Sequence, residues 1–137
     1  MPRFNKKIIL ASVATIIVFG IGISISQSTM TQQKYEKILY LDGTFHPDKK
    51  YVEITFSDKT QKTTKVVLEV LGMEKSFQKT FDGPSFTITV PFDKVPEYGW
   101  KVVPITLVVT HPDFGQVGVK TDIHDEGKYS KTIFTQL

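Results

Sequence analysis

Apolar and polar residues alternate with a period of two over most of the chain after residue 34. Over 51–56 the residues Val52, Ile54 and Phe56 share one face, and 85–90 repeats the pattern with Phe86, Ile88 and Val90. A period of two is typical of a β-strand with one buried face. These two segments therefore predict strands that bury those six apolar side chains. The outward positions are Glu53, Thr55, Thr87 and Thr89.

Further strands are predicted wherever β-branched and aromatic residues concentrate between turn residues. The additional segments are 36–41, 65–71, 76–81, 102–110, 116–123 and 128–135. The separators are rich in Gly, Pro, Asp and Ser, as turns are: 42–43, 46–48, 57–58, 72, 82–84, 111–113 and 125–127. No segment of this region sustains a helical period. The pattern predicts an all-β domain, an antiparallel β-sandwich of about seven to eight strands over 35–137.

The number and spacing of these strands resemble those of immunoglobulin-like and fibronectin-III-like domains. The segment 96–102, PEYGWKV, is similar in placement to the aromatic corner of such domains, whereas the cysteine pair of antibody domains is absent. Pro104 predicts a bulge, a strand that starts at Ile105 or an edge position, because proline donates no hydrogen bond to a sheet. Lys128 and Lys131 predict that the last strand lies at an edge.

A different pattern precedes the domain, since residues 8–26 are nineteen residues without a charge. A helix of that length extends about 28 Å, close to the thickness of the bilayer core. Arg3, Lys6 and Lys7 precede it and favour a cytoplasmic N-terminus. The predicted organisation is a cytoplasmic segment 1–7, a transmembrane signal-anchor helix 8–26, a stalk 27–34 and an extracytoplasmic domain 35–137. We therefore expect a single-pass protein of the cell membrane.

Two further features concern the predicted membrane segment. Small residues recur four apart, Gly20 with Ser24 and Gly22 with Ser26, a spacing that lets another membrane helix approach closely. The residues Ser24 and Ser26 also fit a signal-peptidase site, and cleavage after Ser26 would release a secreted binding module. The apolar run is longer than the usual apolar part of a signal peptide, which favours the retained anchor.

Composition limits the chemistry available to the domain. The chain has 137 residues, no cysteine and a net charge of +3, and three basic residues before the membrane segment account for that excess. The rest of the chain is neutral, which disfavours a nucleic-acid partner. Without cysteine, thiolate metal sites and cysteine nucleophiles are excluded. No motif for nucleophilic catalysis or phosphate binding is present, so we expect no enzyme and no cofactor.

Three histidines are the available nitrogen ligands, at His46, His111 and His124. A copper or zinc site built from them, and hence a metal-handling domain, is the alternative functional prediction. The triplet His-Pro-Asp occurs at 46–48 and 111–113, and we interpret both copies as turns because proline fixes φ and aspartate caps the following backbone.

The leading functional prediction concerns the surface. Tyr98, Trp100 and Phe114 lie in or beside predicted loops, where aromatic rings either close the ends of a sandwich or contact a partner. We expect a non-enzymatic module for structure or protein–protein interaction, an accessory subunit of a larger membrane or envelope complex. Its partners would be other membrane or envelope subunits, together with the bilayer through residues 8–26.

Overall fold

The computed structural model describes residues 29–73 and 75–137, an all-β body with one short helix. The helix α1 spans Thr29–Glu36. The strands are β1 (Leu39–His46), β2 (Tyr51–Asp58), β3 (Lys65–Val70), β4 (Phe77–Asp82), β5 (Ser85–Pro91), β6 (Pro104–His111), β7 (Gly115–Asp122), β8 (His124–Asp125) and β9 (Ile133–Gln136). A 3₁₀ turn, Trp100–Val102, precedes β6. The all-β prediction is confirmed for these residues.

The strands form two mostly antiparallel sheets, one of four strands in the order β5-β2-β1-β8 and one of five in the order β4-β3-β6-β7-β9. The two-residue strand β8 pairs in parallel with β1. Both sheets contribute to one apolar core, with Val52 and Ile54 from the first and Leu68 and Leu107 from the second. Two sheets around a shared core are compatible with the predicted β-sandwich.

The predicted alternation of buried and outward-facing side chains is confirmed in β2 and is less complete in β5. Val52, Ile54, Phe56 and Val90 are buried, whereas Phe86 and Ile88 are only half-buried. These two side chains stay partly exposed because β5 lies at one edge of its sheet. Phe86 still stacks on Phe81 of β4, with ring centroids 3.9 Å apart, and this stack joins the edges of the two sheets.

Two predicted boundaries in the first part of the chain are wrong. The strand predicted at 36–41 begins at Leu39 and continues to His46, so Asp42-Gly43 lies within β1 and not in a turn. Gly43 faces the core, where a Cβ atom would collide with the Ile105 side chain. Glycine is therefore required for close approach of the sheets at this point, as glycines inside strands often are.

The second half of the chain also departs from the prediction at two points. Pro104 is the first residue of β6, which pairs with both β3 and β7, so the edge position is excluded. The last strand is confirmed as an edge strand but spans only Ile133–Gln136, which leaves Lys128 and Lys131 outside it.

Helix α1 covers the free edge of β9, although residues 29–34 were predicted as part of a stalk. The Gln32 amide accepts a hydrogen bond from the Phe134 N–H at 2.9 Å and donates one to the Phe134 carbonyl. The Tyr35 hydroxyl donates to the Gln136 side chain. The Gln32 amide thus occupies the place of a neighbouring peptide group, which shields an edge strand from pairing with another chain.

This edge contact leads to a direct prediction. Gln32→Ala should lower the free energy of unfolding by about 1–2 kcal/mol, because two backbone groups of Phe134 lose their partner. Chemical denaturation measures the loss, and light scattering measures any association through the uncovered edge. Gln33→Ala is the matched control, since Gln33 is exposed on the same helix. Equal stability of the two variants would contradict the assigned role of Gln32.

Candidate functional site

Trp100 closes one end of the sandwich. Its ring packs against Phe45 and Phe92, with centroids 5.2 and 5.7 Å apart. The indole Nε1 donates a hydrogen bond of 3.0 Å to Asp125 Oδ1. Of the two roles predicted for aromatic residues in these loops, the structure gives Trp100 the closing one.

Tyr98 lies two residues before Trp100 and has the opposite environment. A hydrogen bond of 2.9 Å from the Gly99 N–H to the Pro96 carbonyl closes a turn, and Tyr98 stands at its tip with 80% of its surface exposed. Val95 and Val102 in the same loop are also exposed. Trp100 packs against the core and fixes the end of this loop. The turn therefore holds the exposed Tyr98 side chain in a defined position.

Phe114 does not join this surface. It stacks on His111 at 4.3 Å and meets Tyr35 edge-on at 5.3 Å, while the Lys34 ammonium lies 4.9 Å from its ring centre. The register of β1 and β2 places this contact at the opposite end of the sandwich from Phe45 and Trp100. The predicted group of Tyr98, Trp100 and Phe114 is therefore divided between two ends.

The end of the sandwich that holds Phe114 also holds a buried polar cluster around Asp58. Asp58 Oδ2 accepts from Thr63 N–H at 2.9 Å and Thr63 Oγ1 at 2.7 Å, while Oδ1 accepts from Thr60 N–H at 2.8 Å and Thr60 Oγ1 at 2.7 Å. Burial alone would raise the pKa of Asp58, but these hydrogen bonds lower it from 3.8 to about 2. The carboxylate is therefore charged and holds the loop between β2 and β3.

His111 completes this cluster from β6. Its Nδ1 accepts a hydrogen bond from the Asp113 N–H at 3.1 Å, which assigns the ring proton to Nε2. Nε2 lies 2.8 Å from Thr60 Oγ1 and 3.3 Å from Asp58 Oδ2. Both the His111 and Asp58 side chains are fully buried. The cluster is a closed structural network that connects the two sheets.

The opposite end, near Trp100, holds a second group of ionisable residues. These lie on the outer face of the four-stranded sheet and are more accessible to solvent. His46 Nδ1 lies 2.5 Å from Glu126 Oε2, and its Nε2 lies 3.3 Å from Glu53 Oε1. His124 Nε2 lies 2.6 Å from Asp42 Oδ1, and its Nδ1 lies 2.8 Å from the Asp125 carbonyl.

Hydrogen bonding raises the pKa of both histidines. For His46 the largest cause is the bond to Glu126, and the bond to Glu53 adds to it. Burial alone would lower the pKa of His124, but the bonds to the Asp125 carbonyl and to Asp42 outweigh it. The structure thus places two imidazole rings, each with a raised pKa, beside carboxylates on the same face of the sheet.

The sequence singled out the histidines but did not indicate which carboxylate faces which ring. The signal was available for β1, because a continued period of two would have put Asp42, Thr44 and His46 on one face. Glu126 gave no such signal, since it lies 80 positions from His46.

The three histidines do not come together. His46 and His124 lie near the same end, whereas His111 lies with Asp58 at the other, and both His-Pro-Asp triplets form the predicted turns. Over the residues that the structure describes, no group of three or more His, Asp or Glu side chains is arranged to hold a metal ion.

The remaining predicted site lies outside the described residues. Gly20, Gly22, Ser24 and Ser26, and the anchor 8–26 that contains them, precede residue 29. Between residues 29 and 137, Glu74 aside, no helix is both long and apolar enough to span a membrane. The membrane helix and its packing face stay predictions from the sequence.

Comparison of the chain with protein-family models, curated proteins and solved structures finds no match in any of the three.

Proposed function

We propose that this chain is a non-enzymatic, single-pass membrane protein whose immunoglobulin-like domain contacts another subunit of a membrane or envelope complex. Residues 1–7 are cytoplasmic, residues 8–26 span the bilayer and the domain lies outside the cell. The observation that carries the proposal is Tyr98, an exposed aromatic side chain at the tip of a turn whose end is held by Trp100, which is half-buried and packs on Phe45.

A fixed aromatic side chain suits partner binding for an energetic reason. Binding loses affinity when loops and side chains become ordered, and tyrosine supplies a large contact area with few rotatable bonds. The hydrogen-bonded turn 96–99 and the Trp100 contacts order the loop beforehand. Val95 and Val102 of the same loop are also exposed.

Helix α1 supports a short connection to the membrane. It begins at Thr29, three positions after Ser26, and its residues Gln32 and Tyr35 are bonded to β9. An anchored domain on so short a connection has a high effective concentration near any partner of the membrane helix. A contact at Tyr98 and a helix contact through Gly20 and Ser24 would then reinforce each other.

The proposal predicts a specific loss of partner binding. Full-length protein extracted from native membranes in mild detergent should co-purify with a stoichiometric partner, and Tyr98→Ala should weaken that association about tenfold or more, as loss of an aromatic anchor does. Its melting temperature should stay unchanged, because Tyr98 is exposed. Tyr129→Ala is the matched control, since Tyr129 is exposed to 83% in a different loop.

Two outcomes would count against the proposal. One is a full-length protein that runs alone and monomeric from native membranes. The other is equal association of the Tyr98 and Tyr129 variants with the partner. N-terminal sequencing of the same sample tests the anchor, because a mature chain that begins at Gln27 would identify the secreted alternative.

A further inference from the structure

The segment His124–Glu126, here called the strap, lies along the edge of β1 near Trp100. Its backbone pairs in parallel with Thr44 and Phe45. All three side chains contact the rest of the domain: His124 meets Asp42 and Thr44, Asp125 meets Trp100, and Glu126 meets His46. A pairing of only two residues is short for a strand, so these side chains carry much of the attachment.

The protonation state of the two histidines follows from their neighbours. Both nitrogens of the His46 ring face carboxylate oxygens, those of Glu126 and Glu53. Both nitrogens of the His124 ring face acceptors, the Asp42 carboxylate and the Asp125 carbonyl. A neutral imidazole has one N–H only, so in each ring one nitrogen lone pair would face an oxygen. The arrangement favours the imidazolium form of both rings.

We propose that the strap is a pH-sensitive closure, docked on β1 while His46 and His124 are protonated and released when they lose their protons. Release would uncover the edge of β1 at Thr44 and Phe45 and remove the acceptor of the Trp100 Nε1–H. The proposal stands independently of the membrane anchor and of the partner site at Tyr98.

The sign of the pH effect follows from the surroundings of both rings. The groups around His46 are Glu53, Glu126 and the Tyr51 ring, and the Lys49 ammonium lies 5.9 Å from the centre of that ring. The groups around His124 are Asp42, Asp125 and Thr44.

Acidic neighbours therefore predominate at both rings, and they raise the pKa of the docked state above the ordinary 6.5. Docking is thus fully stabilised below about pH 6.5 and is lost as the pH rises through the raised pKa values.

The single tryptophan of the chain reports on the strap, because Trp100 is bonded to Asp125. In full-length protein in mild detergent, Trp100 emission should shift to the red and acrylamide quenching should increase as the pH is raised above about 6.5. Far-UV circular dichroism should stay constant over this range. Amide exchange in 123–127, corrected for its intrinsic pH dependence, should rise about tenfold per pH unit for each histidine that titrates.

Variants separate this mechanism from a general loss of structure. The double variant His46→Gln/His124→Gln should lose the pH transition of Trp100, whereas Asp113→Asn, at the other end of the domain, should retain it. A constant Trp100 signal in the wild type, a transition that persists in the double variant, or a simultaneous loss of β-structure would each overturn the proposal. The wild-type exchange measurement decides the question by itself if the double variant does not fold.

Discussion

Replacing Asp58 with alanine is expected to lower the free energy of unfolding by about 3–5 kcal/mol, as removal of one member of a buried charged network does. The substitution removes the acceptor for Thr60 and Thr63, and it leaves the backbone N–H groups of half-buried Thr60 and buried Thr63 without that partner. It also removes the carboxylate beside His111 Nε2. Denaturant titration at neutral pH measures the change.

A second aspartate provides the control. Asp113 lies two residues from His111 but its carboxylate is exposed and contacts Lys62 at 3.0 Å. Asp113→Ala should change stability by less than about 1 kcal/mol, because exposed ion pairs contribute little. A comparable loss in the two variants would contradict the role given to the Asp58 network.

Acid titration tests the same network without a truncation. The pKa of Asp58 is lowered from 3.8 to about 2 in the folded protein. Its contribution, about 2 kcal/mol, is therefore present above pH 3.8 and is lost as the pH falls through about 2. Asp58→Asn should remove this part of the pH dependence.

Gly72→Ala is expected to be similarly severe, with a loss of about 3–5 kcal/mol from backbone strain and overpacking together. Gly72 follows β3 with φ at +78°, a conformation that L-residues rarely adopt. An added Cβ atom would collide with the backbone carbonyl of Val102 in the 3₁₀ turn. A carbonyl held in that turn has little freedom to move aside.

Gly127 isolates the steric part of this effect. Its φ is +77°, almost identical, but a Cβ atom added there meets no atom within 4 Å. Gly127→Ala should therefore lose only about 1–2 kcal/mol, the ordinary penalty of a left-handed conformation. Similar losses in the two variants would show that the contact between Gly72 and Val102 does not limit the fold.

The strands could be predicted wherever one face of the strand is buried and the other is exposed to solvent. In β2, Val52, Ile54 and Phe56 alternate with Tyr51, Glu53 and Thr55, and the structure buries the first set completely. Local pattern is sufficient here because burial and pleat have the same period.

The strand boundaries depended on contacts that local sequence does not contain. Asp-Gly is a strong turn signal, yet Asp42-Gly43 lies inside β1 because Gly43 admits Ile105 from the other sheet. Helix α1 has no apolar stripe, and its contacts involve β9, about a hundred positions further along the chain. Tertiary contacts overrode the local preference in both cases.

The candidate sites also divide into features that local sequence predicts and features that depend on tertiary contacts. Sequence identified Tyr98 as a surface candidate, and the structure exposes it. Sequence grouped it with Phe114, whose place at the other end depends on the register of β1 and β2. Nothing in the residues around Ser57-Asp58 indicated that the carboxylate would be buried with a histidine 53 positions away.

The contact between α1 and β9 has a consequence for the order in which the domain folds. Gln32 and Phe134 are separated by 102 positions, so α1 is synthesised early and meets its partner only when nearly all of the domain has emerged. The hydrogen bonds that hold α1 on the sheet edge form only once β9 is in place beside β7. The closing of the sheet edge is therefore a late step, and until it occurs the nascent chain exposes a strand that can pair with a neighbouring copy.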